Sequence, residues 1–169
     1  MKKKFLSLLV PVIWFSLIAN SQEFEVSFEE AMTTKVSHEL PDIAIRDTIR
    51  LMIIEKAQEY IGVNYKWGHA NEKAFDCSGY VKYIYGHFGY MIPRSSYDQY
   101  NASKRLSKNK AKPGDLVFFI TRGHRISHVG IYLGNNSFIH APSTGKQVRI
   151  ESLDTEFFRK NLAGFGTIL

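Results

Sequence analysis

The most reactive side chain in this sequence is the thiol of Cys77, the only cysteine in the chain. It lies in the stretch DCSG at 76–79, directly before apolar residues at helical spacing, namely Val81, Ile84, Tyr85 and Phe88. This spacing predicts a helix with Asp76 as its N-cap and the thiol in its first turn. Free backbone N–H groups and the helix dipole favour thiolate there, so the position indicates a nucleophile. The alternative is a small buried hydrophobic residue.

Two of the six histidines lie where a strand could present them to that thiol. His128 opens a predicted strand after a loop at 121–127, and His140 follows on the partner strand of the same hairpin. A cysteine peptidase needs a thiolate, an imidazole that pairs with it and protonates the leaving amine, and a polar group that orients the imidazole. Cys77, His128 and His140 can supply all three. The alternative for each histidine is an ordinary core or surface residue.

The N-terminus has the pattern of an export signal. Three lysines precede an apolar run at 5–19, and the small residues at 19–21 suit signal peptidase, so we expect cleavage before Gln22. The run is short for a membrane-spanning helix, so we expect no stable membrane anchor. The only cysteine lies far downstream, which excludes a lipid anchor at the cleavage point. An exported chain with one cysteine forms no internal disulfide, so the thiol is either idle or kept for chemistry.

Composition and charge suit one globular domain and give little support to nucleic-acid binding. Hydrophobic residues make up 44% of the 169 residues and aromatic residues 14%. The formal charge is +6, but the three N-terminal lysines account for half of it and residues 1–21 contain no acid, which leaves +3 from Gln22 onward. The one basic cluster, at 104–112, contains no aromatic residue for base stacking, so we interpret it as a solvated loop.

The order of elements predicts an α+β domain at 43–169, after the signal peptide at 1–21 and a linker or N-terminal arm at 22–42. A helix at 43–61, with Gly62 as its stop, is expected to pack on the cysteine helix through regularly spaced residues, namely Ile49, Ile53, Ala57 and Ile61. A short helix toward Tyr100 follows. Strands are predicted at 116–120, 128–133, 137–140, 147–150 and 162–168. Helices first and strands after favour an antiparallel sheet packed against the cysteine helix.

The hairpin that carries the two histidines poses a problem of parity. Side chains alternate between faces along a strand, so His128 and His140 share a face only if His140 lies opposite Gly130. The strongest turn signal, Asn135-Asn136, predicts a two-residue connection that would put the histidines on opposite faces. On chemical grounds we expect instead an odd-length connection at 134–136. Gly130 then leaves room beneath the imidazoles, and the alternate residues Val129, Ile131 and Leu133 face the core.

Five strings stand out between about residue 50 and the end of the chain: YKWG, FDCSGYVKYIY, MIPRSS, KPGDLVFF and SHVGIYLGNNSFIHA. In this order they closely resemble the signature blocks of NlpC-type bacterial cell-wall cysteine peptidases, a family with a papain-like fold. The resemblance implies that Cys77 is the nucleophile, His128 the base and His140 the orienting group. It places Tyr65, Asp76 and Ser78 beside the substrate. One position departs from the pattern, because His69 replaces a second glycine after Trp-Gly and is expected to add a side chain to the cleft.

The resemblance implies an exported thiol peptidase that acts on peptidoglycan stem peptides in the periplasm or at the cell surface. We expect no cofactor and no metal, and we expect a monomer. The commonest target in such families is the bond between D-Glu and the diamino acid, and some members cut the D-Ala to diamino acid cross-link.

Three other readings of the sequence stay open. They are an amidase or acyltransferase on the same fold, a non-catalytic peptidoglycan-binding module, and a zinc hydrolase using Cys77, His128 and His140. The last lacks the usual C-x-x-C and H-E-x-x-H spacings.

Overall fold

The computed structural model describes residues 42–169, so the predicted signal peptide and all but the last residue of the predicted arm lie outside the described residues. The helices are α1 (42–58), α2 (Cys77–His87), α3 (Ser96–Ala102) and α4 (Glu156–Asn161). The strands are β1 (Ala70–Asn71), β2 (Ala74–Phe75), β3 (Lys104–Leu106), β4 (Leu116–Phe119), β5 (His128–Gly134), β6 (Ser137–His140), β7 (Arg149–Ser152) and β8 (Leu162–Thr167).

The main sheet of the described chain has six strands in the order β3-β8-β4-β5-β6-β7, with every neighbouring pair antiparallel. Strands β1 and β2 form a separate two-stranded hairpin. This arrangement of helices on an antiparallel sheet confirms the predicted α+β class.

Two layers of core lie on opposite faces of the sheet. On one face, the alternate residues Leu116 and Phe118 of β4 pack with α1 and α2. On the other face, Val117 and Phe119 pack with an aromatic cluster that includes Phe158 of α4. Helix α4 was not predicted, because six residues are too few to show a helical period. It is nonetheless important, since it closes the face of the sheet on which the histidines lie.

Helix α1 packs on α2 as expected, but it ends three residues earlier than its spacing predicts. Ile53 and Ala57 are fully buried, and the Tyr80 hydroxyl of α2 donates to the Ala57 carbonyl at 2.7 Å. Ile61, predicted to be on the buried side, is exposed. The reason is tertiary: the N–H of Gly62 donates to the carbonyl of Val148 at 2.9 Å, which draws the chain out of the helix.

Two local predictions need correction, and one short hairpin was not predicted. The basic cluster expected to be a solvated loop contains β3, an edge strand that pairs with β8. Charged side chains are common on edge strands because they oppose pairing with other chains, and they hide the strand from a pattern of apolar alternation. The segment at 63–75, for which no element was predicted, contains the hairpin of β1 and β2. Strand β7 begins two residues later than predicted.

The histidine hairpin contains both features that seemed to conflict. Asn135 and Asn136 have φ values of 47° and 55° and form the two-residue turn, so the odd-length connection was wrong. Gly134 pairs with Ser137, but the register shifts between Tyr132 and Gly134, and beyond this bulge Ile131 pairs with Ile139. The extra residue in β5 changes the parity of the pairing. The predicted sharing of one face by the two histidines is therefore confirmed, through a bulge and not through the turn.

Candidate active site

Cys77 is the first residue of α2, directly after the N-cap Asp76, as predicted. The Asp76 carboxylate accepts a hydrogen bond from the Gly79 N–H at 2.7 Å, which satisfies one free donor of the first turn. The thiol is buried, with 7% of the residue exposed. Hydrogen bonds from the N–H groups of Ser78 and Val129 lower its pKa. Because Val129 follows His128 in β5, the thiol lies at the start of the strand that carries the predicted base.

The net effect on the thiol differs from the sequence-based expectation. Burial is the largest influence on the pKa of Cys77, and the charge of Asp76 adds to it, so the pKa lies above its ordinary value. The helix start therefore does not produce a free thiolate by itself. Since desolvation opposes any isolated charge, the thiol can ionise only if a partner takes the proton.

Asp76 holds the start of α2 in place through contacts that the sequence did not reveal. Both of its oxygens accept from the guanidinium of Arg94, and Oδ2 also accepts from the Gly68 N–H at 2.8 Å. Burial would raise the pKa of this carboxyl, but Arg94 and the backbone donors outweigh burial and hold the pKa below its ordinary value. The ionised Asp76 carboxylate thus links the start of α2 to Arg94 in the segment before α3.

Ser78 takes part in the same network of hydrogen bonds. Its hydroxyl donates to Asp76 at 3.3 Å and accepts from Arg94 at 3.1 Å, and Gln99 donates to its carbonyl at 2.9 Å. Asp76 and Ser78 are both buried, with their polar atoms engaged within the protein. Their predicted contact with substrate stays a prediction, whereas their structural role is visible.

The close approach of α2 to the chain before it gives a testable difference between two glycines of this helix. A Cβ on Gly79 would lie 2.2 Å from the carbonyl oxygen of His69, whereas a Cβ on Gly86 would meet nothing within 4 Å. We expect Gly79→Ala to lower the free energy of unfolding by about 2 kcal/mol or more, because backbone must shift. Gly86→Ala should raise it by roughly 0.5 to 1 kcal/mol.

Urea denaturation of the two variants and the unchanged protein measures both effects. Equal stability of the Gly79 and Gly86 variants would contradict the placement of α2 against His69.

His128 and His140 face each other in the structure. Nε2 of His128 lies 2.6 Å from Nδ1 of His140, and both side chains are buried. Burial, followed by the neighbouring His140 and Arg122, lowers the pKa of His128 well below its ordinary value. A Cβ on Gly130 would lie 2.7 Å from the ring of Phe138 and 3.2 Å from the Cβ of His140, so glycine is required for this close approach.

A carboxylate that the sequence did not point to completes this arrangement. Nε2 of His140 lies 2.7 Å from Oε2 of Glu151, and Arg149 donates to the other carboxylate oxygen. The bond from His140 is the main cause that lowers the pKa of Glu151. Burial lowers the pKa of His140, and Glu151 offsets part of that effect. Only the register of β6 and β7, in which Phe138 pairs with Glu151, could have revealed this contact.

An open cleft of about 760 Å³ lies beside the histidines. Its lining residues are Tyr65, Trp67, Thr121, Arg122, His128, His140, Pro142, Ser143, Thr144, Lys146, Arg149, Glu151, Thr155, Phe157 and Phe158. Cys77 is covered and does not contribute to this lining. Tyr65 lines the cleft and also lies near Cys77, because its pKa is raised first by burial and then by its electrostatic interaction with Cys77. His69, expected in the cleft, instead directs Nδ1 toward the Trp67 carbonyl at 3.1 Å.

Within residues 42–169, no three histidine, cysteine or acidic side chains are placed so that they could hold a metal ion. No helix in that part of the chain is long and apolar enough to cross a membrane.

Comparison with known proteins identifies the family. Residues 62–167 match the NlpC/P60 family, and this match includes Cys77, His128 and His140. The chain therefore belongs to the NlpC/P60 family, as its sequence strings predicted.

Several relatives with assigned names are similar to this chain over about two thirds of its length. A probable endopeptidase p60 of Listeria monocytogenes is 45% identical over 116 residues, which are 69% of this chain and 23% of the relative. A bifunctional muramidase/DL-endopeptidase, CwlT of Bacillus subtilis, is 37% identical over 119 residues, 69% of this chain and 36% of the relative. The Escherichia coli murein DD-endopeptidase MepS/murein LD-carboxypeptidase is 38% identical over 113 residues, 66% of this chain and 59% of the relative. The chain thus spans a quarter to three fifths of the length of these relatives.

Solved structures agree with this fold. The NlpC/p60 domain of the peptidoglycan hydrolase SagA superposes with a TM-score of 0.62 and 32% identity, covering 70% of this chain and 98% of the other. The peptidoglycan hydrolase RipB of Mycobacterium tuberculosis gives a TM-score of 0.62 and 31% identity, covering 73% of this chain and 66% of the other.

Proposed function

We propose that this protein is a cysteine endopeptidase that hydrolyses a peptide bond in the stem peptides of peptidoglycan. The observation that carries the proposal is a thiol at a helix start that accepts a hydrogen bond from the N–H of Val129. His128 directly precedes Val129 in β5, and its Nε2 lies 2.6 Å from Nδ1 of His140. The relatives named as endopeptidases and peptidoglycan hydrolases support the choice of substrate.

The electrostatics favour a mechanism in which thiolate and imidazolium form together. Burial raises the pKa of Cys77 and lowers that of His128, so each is neutral when alone in the resting site. Transfer of the thiol proton to His128 creates two opposite charges side by side, which compensate each other in a dry environment. The thiolate then attacks the substrate carbonyl, and backbone N–H groups at the start of α2 that point toward the thiol stabilise the oxyanion. His128 protonates the leaving amine, and water releases the acyl-enzyme.

The lining of the cleft suits an anionic peptide. Arg122 and Lys146 face it, and stem peptides carry free carboxylates beside their amide bonds. Tyr65, which lies at the cleft and near Cys77, is the residue we assign to substrate contact beside the scissile bond.

We propose that the bond cut is the one between D-Glu and the diamino acid. The name of the Bacillus subtilis relative, a DL-endopeptidase, supports this choice, whereas the name of the Escherichia coli relative, a DD-endopeptidase, supports the D-Ala to diamino acid cross-link as the second candidate.

Digestion of purified muropeptides followed by mass spectrometry tests both substrate and bond. Cleavage after D-Glu leaves a disaccharide dipeptide, whereas cleavage of the cross-link converts dimers into monomers of unchanged stem length. Release of the whole stem peptide would indicate an amidase, and transfer of acyl groups to amines an acyltransferase. Binding of muropeptides without any new fragment would overturn the proposal in favour of a binding module.

We further propose that the catalytic domain occupies 43–169 and that the protein acts as a monomer outside the cytoplasm. The pattern of residues 1–21, with cleavage before Gln22, supports export. The substrate supports it independently, since peptidoglycan lies outside the cytoplasmic membrane.

A further inference from the structure

The two histidines belong to a longer chain of hydrogen bonds that ends at a carboxylate. His128 Nε2 and His140 Nδ1 are 2.6 Å apart, and His140 Nε2 and Glu151 Oε2 are 2.7 Å apart. The Phe138 and Phe158 rings lie 4.7 and 5.5 Å from the His140 ring centre, so apolar groups surround much of the imidazole. Arg149 holds the second oxygen of Glu151, which orients the carboxylate toward His140.

The Glu151 carboxylate, at the end of this chain of hydrogen bonds, determines which nitrogens of the two imidazoles carry protons. An ionised carboxylate can only accept hydrogen bonds, so Nε2 of His140 must donate to Glu151. A neutral imidazole carries one proton, and Nδ1 of His140 is therefore left as an acceptor. The short contact to His128 then requires that Nε2 of His128 carries the proton. The nitrogen of His128 that is left without a proton is Nδ1.

We propose that Glu151 is a positioning residue that orders the protons of both imidazoles, so that Nδ1 of His128 is free to accept the proton of Cys77. This inference rests on the proposed function for its consequence in catalysis, but the order of protons stands on the hydrogen bonds alone. Without Glu151, His140 can donate from Nδ1 to Nε2 of His128. His128 then carries its proton on Nδ1 and cannot accept another there, so the thiol loses its base.

The charge of Glu151 has a second consequence. When His128 becomes an imidazolium, a negative charge at the far end of the chain of hydrogen bonds stabilises it. The charged side chains with the largest effects on the pKa of His140 are Glu151 and Arg149 of β7 and Lys146 in the loop before it. Glu151 is the only acid among these three, so its removal leaves Arg149 and Lys146 without a negative charge to offset their effect on His140.

The experiment compares Glu151→Ala, Glu151→Gln and the control Glu156→Ala. Glu156 is an exposed carboxylate of α4 in a surface pair with Lys160, outside the cleft lining. Imidazole ¹⁵N chemical shifts distinguish a protonated from an unprotonated ring nitrogen and need no turnover. We expect both histidines to be Nε2-protonated in the unchanged protein and in Glu156→Ala. In Glu151→Ala, the His128 signals should shift toward the Nδ1-protonated form.

Kinetics provide the second readout. We expect Glu151→Ala to lower kcat by roughly 10- to 100-fold with little change in KM, and to slow the alkylation of Cys77 by iodoacetamide. The kcat of Glu151→Gln should lie between those of Glu151→Ala and the unchanged protein, because the amide oxygen of glutamine can accept from His140 but its NH₂ group can also donate. Its near-isosteric shape keeps the test valid if the alanine variant folds poorly.

Unchanged ¹⁵N shifts and unchanged kcat in both Glu151 variants would overturn the inference. Loss of activity with unchanged shifts would also overturn it, since it would assign Glu151 a structural role. Shifted tautomers in a protein that does not depend on Cys77 for turnover would leave the proton order standing and remove the proposed function.

Discussion

Replacement of Cys77 by alanine is expected to abolish hydrolysis of muropeptides, with kcat/KM lower by about 10⁴-fold or more. Cys77 is the only cysteine in the chain, and its thiol accepts a hydrogen bond from the N–H of Val129, the residue that follows His128 in β5. Cys77→Ser should be equally inactive, because a buried hydroxyl is far harder to ionise than a thiol. Fragment masses from a timed digestion provide the measurement.

Two controls separate chemistry from folding and from metal dependence. The Cys77→Ala variant should retain the thermal unfolding transition of the unchanged protein within a few degrees, since one buried sulfur is lost and no charge pair is broken. EDTA should leave the activity of the unchanged protein intact. Full activity in Cys77→Ala would end the cysteine-peptidase proposal, and loss of activity in EDTA would revive the zinc hydrolase.

Alanine at His128 and alanine at His140 are expected to differ in effect. His128→Ala removes both the partner of the thiolate and the acid that protonates the leaving amine, so turnover should fall by about 10³- to 10⁴-fold. His140→Ala removes only the group that holds Nε2 of His128, so activity should fall by roughly 10- to 100-fold and stay measurable. The kcat of each variant on one muropeptide makes the comparison.

A third histidine controls for the loss of an imidazole as such. His87 lies in the last turn of α2, outside the cleft lining, and His87→Ala should leave kcat unchanged. If the His128 and His140 variants lose activity equally, the two residues act as one unit and the separation of roles is wrong. A larger loss for His140→Ala would mean that their roles are exchanged.

Features of this protein that depend on near neighbours along the chain could be predicted from its sequence. The start of α2, its N-cap Asp76 and its buried face follow from residues within one or two turns of each other, so the helical period makes them visible. Strand β6 and the two-residue Asn135-Asn136 turn follow from equally local signals. The ordered strings that resemble the NlpC-type peptidases identified the family for the same reason, because they are contiguous.

Features that depend on how distant segments meet could not be predicted. The Asp76 to Arg94 pair and the His140 to Glu151 contact join residues whose separation along the chain carries no period, so only the packed structure brings them together. The face of the sheet on which His140 lies depended on both local and long-range structure. The turn was correctly indicated by sequence, but a bulge between Tyr132 and Gly134, which the packing of β5 accommodates, decided which face His140 occupies.

The ionisation of the Cys77 thiol also depends on one local feature and one tertiary feature. The sequence determined that Cys77 stands at a helix start, where local dipoles favour the thiolate, and it determined that Asp76 precedes it. Only the tertiary structure decided that the thiol is buried, and burial changes the pKa more than the backbone N–H groups do. The physical reason is that a dipole effect comes from the residue's own helix, whereas desolvation comes from every segment that packs around it.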